Sequence, residues 1–267
     1  MSSGWLALLL LSSCSLSAPI EHGANVSPIE RPRHEIEGVA QEVVGLSVEN
    51  RPIVAHVMGE GPETFLLIGV IHGNEPAGKT LLERFMGHVL DTPALLEERR
   101  LVIVPVANPD GYRRGSRHNA NGVDLNRNFP SADWRPMSRN GSSPASEPET
   151  RALLRLVRQF RPSRVLSVHA PLEMVNWDGP AESLAEAMAS ACGYPASASV
   201  GYPTPGSFGS YAGIDWHTPT ITLELGRDID HENVWPRFQN ALEVFVLHPR
   251  RPPRVARTRP VRFEEEL

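Results

Sequence analysis

Apolar residues fall along this chain in two alternating rhythms, short continuous runs and longer segments with helical spacing. The continuous runs are Thr64-Phe-Leu-Leu-Ile-Gly-Val-Ile71, Leu101-Val-Ile-Val-Pro-Val106, Arg164-Val-Leu-Ser-Val168 and residues 219–225. Runs of this length and composition suit strands buried on both faces of a sheet. Helices are expected between and after them, over 76–90, 147–160, 181–192 and 231–247. In the second of these, Leu153, Leu156, Val157 and Phe160 share one face. Ser146-Glu-Pro-Glu149 ahead of it reads as a capping box with proline in the first turn. Residues 39–58 alternate apolar and polar about Glu49-Asn-Arg-Pro52, the pattern of a hairpin at a sheet edge. The expected fold is α/β: a single domain with a mostly parallel, mixed β-sheet flanked by helices on both faces.

Length and charge narrow this little. The chain has 267 residues, enough for one large or two small domains, and the strand–helix alternation favours one. A net charge of −5 with mixed signs throughout gives no reason to expect a nucleic-acid partner. The N-terminus changes the picture more. Trp5-Leu-Ala-Leu-Leu-Leu-Leu11 is an apolar core too short to span a bilayer, followed by Ser12, Ser13, Cys14 and Ser15. Leu11-Ser-Ser-Cys14 resembles a lipobox, in which the cysteine is lipidated. Residues 1–18 are therefore read as a targeting segment and 19–36 as a tether. Residues 37–248 form the folded domain, and 249–267 a flexible, charged tail. The expected location is the cell envelope, with membrane contact only through a lipid on Cys14; the alternative is a disordered tail on a cytoplasmic protein. With Cys14 so used, Cys192 stands alone and no disulfide is expected.

The candidate chemistry gathers at strand ends. His72-Gly-Asn-Glu75 follows the first buried run directly, and His169 closes the run that begins at Arg164. Two imidazoles and a carboxylate suit zinc, which takes three protein ligands and leaves a position open in catalytic sites. The stretch 107–146 is too long for an idle connection. It holds the turn Asn108-Pro-Asp-Gly111, a second turn at Asn119-Ala-Asn-Gly122, Arg117, and Asp124-Leu-Asn-Arg-Asn-Phe129. Within it, Asn126 and Arg127 offer an amide and a guanidinium side by side, a pair able to hold a carboxylate. Glu224 sits in the otherwise apolar 219–225 run. A carboxylate there is costly unless paired or useful, and burial raises its pKa toward the range of a proton carrier.

Together, His72-x-x-Glu75, the Asn-Pro-Asp-Gly turn, Gly-Val-Asp-Leu-Asn-Arg-Asn-Phe, the strand-end His169 and the Glu of Thr-Leu-Glu-Leu resemble the zinc carboxypeptidase family. The resemblance implies that His72, Glu75 and His169 are zinc ligands and that Glu224 is general base and then acid. It also implies that Arg117 stabilises the oxyanion and that Asn126 and Arg127 grip a terminal carboxylate. The longer motifs 119–130, 146–150 and 199–210 are similar to a bacterial branch that cleaves γ-D-glutamyl-meso-diaminopimelate bonds in murein peptides. On that resemblance the substrate is a murein peptide, and Asp215 would pair with the second amino group of diaminopimelate. Digestive members carry a tyrosine on a mobile loop before the last strand; Ser207-Phe-Gly-Ser-Tyr211 occupies that region here. The alternatives are a general metallocarboxypeptidase for α-linked C-terminal residues and an inactive murein-peptide-binding lipoprotein. A monomer or small homo-oligomer is expected.

Overall fold

Successive residues of a strand point to opposite faces, so a strand covered on both sides must be apolar at every position. In the computed structural model this holds for the last four residues of β3 (Glu63–Ile68): Phe65 and Leu67 pack into one core, Leu66 and Ile68 into the other, and all four are buried. The structure describes residues 38–249, so the targeting segment, the tether and nearly all of the tail lie outside the described residues.

The other strands are β1 (Val39–Leu46), β2 (Pro52–Met58), β4 (Arg99–Val104), β5 (Arg164–His169), β6 (Leu172–Asp178), β7 (Ala196–Ser197) and β8 (Thr220–Gly226). They form one sheet in the order β1-β2-β4-β3-β5-β8-β6-β7. The pairings β4·β3, β3·β5, β5·β8 and β6·β7 are parallel, whereas β1·β2, β2·β4 and β6·β8 are antiparallel. The sheet is mixed, with a parallel centre, and the expected edge hairpin is β1–β2.

Helices α1 (Ala77–Asp91), α4 (Glu182–Cys192) and α5 (His231–Leu247) cover one face, through residues such as Phe85, Met188, Phe238 and Phe245. Helix α3 (Pro148–Phe160) covers the other with Leu153, Leu156 and Val157, beside Phe129, Phe208 and Tyr211. A short helix, α2 (Pro109–Arg114), follows β4. Cys192 is buried.

Two local expectations fail. Helix α3 has Glu147, not Ser146, at its N-cap, and no side chain caps it. The Ser146 hydroxyl instead donates to Glu147 Oε1 at 2.7 Å, and the fully buried Glu149 accepts from Val48 N and Asn119 Nδ2. Those carboxylates are used to anchor the long loop rather than to cap the helix. The first buried run also ends early. The strand stops at Ile68, and Val70, with φ of +50°, turns the chain before His72. A β-branched residue in the left-handed region is strained and needs support from its surroundings. Backbone hydrogen bonds from Ala107 N to Gly69 O and from Asn108 N to Val70 O supply it.

Candidate metal centre and active site

The chain leaves β3 through α1 on one face and reaches β4 on one side; β5, approached through α3 on the opposite face, pairs on the other side. The crevice at such a reversal, beyond the carboxyl ends of the strands, is where open α/β sheets place ligands. His72 and Glu75 follow β3, His169 ends β5, and Glu224 lies near the end of β8 in register with His169. Gly73, between the two ligands of the first segment, is obligatory by space: a Cβ there would stand 1.9 Å from the backbone carbon of Gly111 in α2.

His72, Glu75 and His169 are all buried. His72 Nδ1 lies 2.9 Å from Glu75 Oε1, His169 Nδ1 lies 3.0 Å from Glu75 Oε2, and the two Nδ1 atoms are 3.1 Å apart. Donors on a tetrahedral zinc with bonds of about 2.0–2.1 Å stand roughly 3.3 Å from one another. The donor set, its spacing and its convergence on one point therefore fit zinc. Among the described residues this is the one group of three or more metal-binding side chains that meets at a point.

Asp124 organises what surrounds these ligands, and the sequence reading gave it no role of its own. Its Oδ1 accepts from His72 Nε2 at 3.1 Å and from Asn126 N at 3.0 Å, and its Oδ2 from Arg117 Nε at 3.0 Å. The first contact fixes which imidazole nitrogen of His72 remains free for a metal, the usual function of a carboxylate behind a ligating histidine. The second caps the 3₁₀ turn Leu125–Arg127, which presents Asn126 and Arg127. The third aims Arg117. Burial opposes the charge on Asp124, but the His72 hydrogen bond and the cations of His72, Arg117 and Arg127 hold its carboxyl well below the usual range. The two-residue spacing to Asn126 was the available signal.

Charge is balanced in the same way at Glu75. Burial alone would raise its pKa, yet the hydrogen bonds from His169 and His72 bring it down to about 2. Glu224 behaves oppositely: burial, reinforced by the Glu75 charge, pushes its carboxyl up, against the pull of His169 and His72. Two acidic groups on one site are thus driven apart, one held as an anion and one left able to exchange a proton.

One cleft is lined by His72, His169, Arg117, Asn126, Arg127 and Glu224, and Glu75 lies against both histidines, so the structure brings together all but one of the expected site residues. The exception is Asp215. It lies exposed at the end of a π-helical turn, Ser210–Asp215, and its carboxylate accepts from Ala132 N at 2.8 Å, away from the cleft wall. Phe208 and Tyr211 are likewise absent from the cleft; both pack against Phe129 in the core. The tyrosine on the cleft wall is Tyr202, half exposed.

A mixed α/β sheet with a His-Glu-His cluster at its switch point and a proton-carrying glutamate beside it defines a zinc-dependent hydrolase. The zinc carboxypeptidase profile matches residues 37–200, and the chain belongs to that family. It is 39% identical over 179 residues to murein peptide amidase A of Escherichia coli (strain K12), covering 61% of this chain and 71% of that one. The crystal structure of the murein-tripeptide amidase from Escherichia coli O157 superposes with a TM-score of 0.66 at 32% identity, over 79% of this chain and 94% of that one. Bovine thrombin-activatable fibrinolysis inhibitor shares the fold, with a TM-score of 0.69 at 22% identity over 79% and 88% of the two chains.

Proposed function

We propose that this hydrolase cleaves the amide bond between γ-D-glutamate and meso-diaminopimelate in murein peptides. The observation that carries the reaction is the presence in one cleft of both histidines of the metal cluster, Glu224 and the Asn126–Arg127 pair. The similarity to murein peptide amidase A, over most of that protein, supports the substrate.

His72, Glu75 and His169 would hold the zinc. Bound zinc supplies a Lewis acid that brings the pKa of water toward neutrality and polarises the scissile carbonyl. Glu224 accepts the proton released by the attacking water and returns it to the leaving amine. Arg117, whose side chain is 36% exposed, donates to the developing oxyanion while Asp124 holds it in place. Arg127 and the Asn126 amide hold the carboxylate beside the scissile bond through charge-assisted hydrogen bonds. Burial, with the nearby cations Arg117 and Arg139, lowers the Arg127 pKa against the pull of Asp124; a substrate carboxylate relieves that excess positive charge. The γ-linked bond fits this arrangement because the L-centre of diaminopimelate places a free carboxylate next to the scissile nitrogen, as in an ordinary C-terminal residue.

The test is incubation of the purified, zinc-loaded protein with L-Ala-γ-D-Glu-meso-diaminopimelate, followed by mass spectrometry. Release of free diaminopimelate, lost on chelation and regained with zinc, is the expected outcome. Cleavage of α-linked C-terminal residues alone would retain the metal chemistry and remove the murein substrate.

We also propose that the protein acts in the cell envelope, tethered through Cys14. This rests on the apolar core 5–11 and the Leu11-Ser-Ser-Cys14 motif, which lie outside the described residues. Full-length protein should incorporate labelled palmitate and fractionate with membranes, and Cys14→Ser should abolish both. Equal fractionation of the two forms would remove the anchor.

A further inference from the structure

Beside the catalytic cleft lies a second recess, a cavity of about 430 Å³ that shares Arg117, Arg127 and Tyr202 with it. The two spaces therefore adjoin, and one substrate can reach into both. Asp124, Arg139 and Asn140 stand on the wall of the recess, and the catalytic steps use neither Arg139 nor Asn140.

The charge here is one-sided. Three guanidiniums, those of Arg117, Arg127 and Arg139, line the recess with a single carboxylate, Asp124. That carboxylate is already engaged by His72, Asn126 N and Arg117. Arg117 has a further counter-charge on the metal side, Glu75 at 3.6 Å. Arg127 is buried, and among the described residues its guanidinium donates to Asn126 O alone, at 2.6 Å. The exposed Arg139 side chain makes no hydrogen bond or ion pair among the described residues. Its charge instead opposes that of Arg127.

The recess is also built. Arg139 sits in the 3₁₀ turn Ser138–Asn140, which is tied to the loop bearing Asn126 and Arg127. Asp124 N donates to Arg139 O, and Asn128 Nδ2 donates to Asn140 O, both at 2.8 Å. Asn140 is fully buried; its Nδ2 donates to Arg135 O at 2.9 Å, while its Oδ1 has no donor among the described residues. Surplus cations and an unpartnered acceptor on one wall suit a group that brings a carboxylate together with an N–H.

We propose that this recess binds a second carboxylate of the substrate, apart from the one gripped by Asn126 and Arg127, and that Arg139 selects for it. This deepens the murein reading and rests on it. A γ-linked D-glutamate keeps its α-carboxylate free beside an amide N–H, whereas an α-linked residue has that carboxylate tied up in the peptide bond. Diaminopimelate carries another carboxylate at its far end, beside an ammonium. Both sources offer the same chemistry, and an α-linked apolar peptide offers neither.

The test compares kcat/KM of the wild type and Arg139→Gln on L-Ala-γ-D-Glu-meso-diaminopimelate and two analogues. One has the glutamate α-carboxylate amidated; the other has lysine in place of diaminopimelate. Arg139→Gln should lose about 5- to 30-fold on the parent substrate, mainly in KM. Zinc content and Tm should stay at wild-type values, because the side chain is exposed and the backbone contacts remain. If the α-carboxylate occupies the recess, the two proteins agree within about twofold on the amidated analogue, and the lysine analogue keeps the full loss. If the far carboxylate occupies it, the two analogues exchange behaviour. An equal loss on all three substrates, the mark of a general attraction for anions, would overturn the proposal, as would no loss on the parent. If the wild type cleaves none of the three, the murein reading fails by itself. α-Linked substrates with glutamate or glutamine ahead of the C-terminal residue then decide Arg139: the loss must appear with glutamate, whose side chain supplies the second carboxylate, and not with glutamine.

Discussion

Glu224→Gln should lower kcat by roughly 10²- to 10⁴-fold while leaving zinc content and KM near wild-type values. Glutamine keeps the shape of the side chain and its acceptor oxygen, so the contact from Leu172 N, 3.4 Å away, is retained. It cannot take up or return a proton. The pH profile gives an independent readout. A carboxylate must be ionised to act as a base, so activity falls as pH drops through its pKa. Burial and the Glu75 charge raise that pKa above the ordinary 4.5, whereas the positive charge of a bound metal pulls it back. The acid limb of kcat/KM in the wild type belongs to Glu224 and should vanish from the residual activity of the variant. Metal analysis of both proteins with steady-state kinetics across pH checks this. A variant retaining more than about a tenth of wild-type kcat would remove Glu224 from proton transfer.

Strands buried on both faces announce themselves as continuous apolar runs, and a histidine or glutamate at the end of such a run has few structural explanations. That is why His72, Glu75, His169 and Glu224 could be named from pattern, and the structure brings all four to one switch point. Strand β6 shows the opposite case. Its sequence, Leu-Glu-Met-Val-Asn-Trp-Asp, has polar residues at inward positions because that face forms a cleft wall instead of a core. Apolar alternation is then absent by necessity, so the strand escaped notice. Helix α2 escaped for another reason. It spans only six residues, and its N-cap, Asn108 Oδ1 accepting from Gly111 N at 2.9 Å, is also the signature of a turn. Asp215 was assigned on the resemblance to the family, not from a pattern in the residues around it, and the π-helical turn carries it out to solvent.

Phe129→Ala should lower stability by about 3–5 kcal/mol, and its effect should extend to substrate binding. Phe129 is fully buried, with its ring edge-on to Phe208 at 4.9 Å between centroids and stacked with Tyr211 at 6.2 Å. Its position joins the loop carrying Asn126 and Arg127 to the segment 206–211. Two hydrogen bonds complete that junction: Phe129 N donates to Gly206 O at 2.9 Å, and Phe208 N donates to Asn126 Oδ1 at 2.9 Å. Removing the ring opens a cavity at the one place where the carboxylate-gripping pair is tied to the neighbouring segment. For a domain of this size the loss corresponds to a fall in Tm of roughly 6–20 °C. The metal ligands follow other elements, β3 and β5, so zinc affinity should be nearly preserved. The expected signature is a large drop in Tm, a rise in KM that exceeds the loss in kcat, and normal zinc content at temperatures where the variant is folded. Thermal melting, metal analysis and kinetics on the same preparation would establish it. A KM unchanged despite the lost stability would mean that Asn126 and Arg127 are held by Asp124 alone, and that the aromatic junction serves only the core.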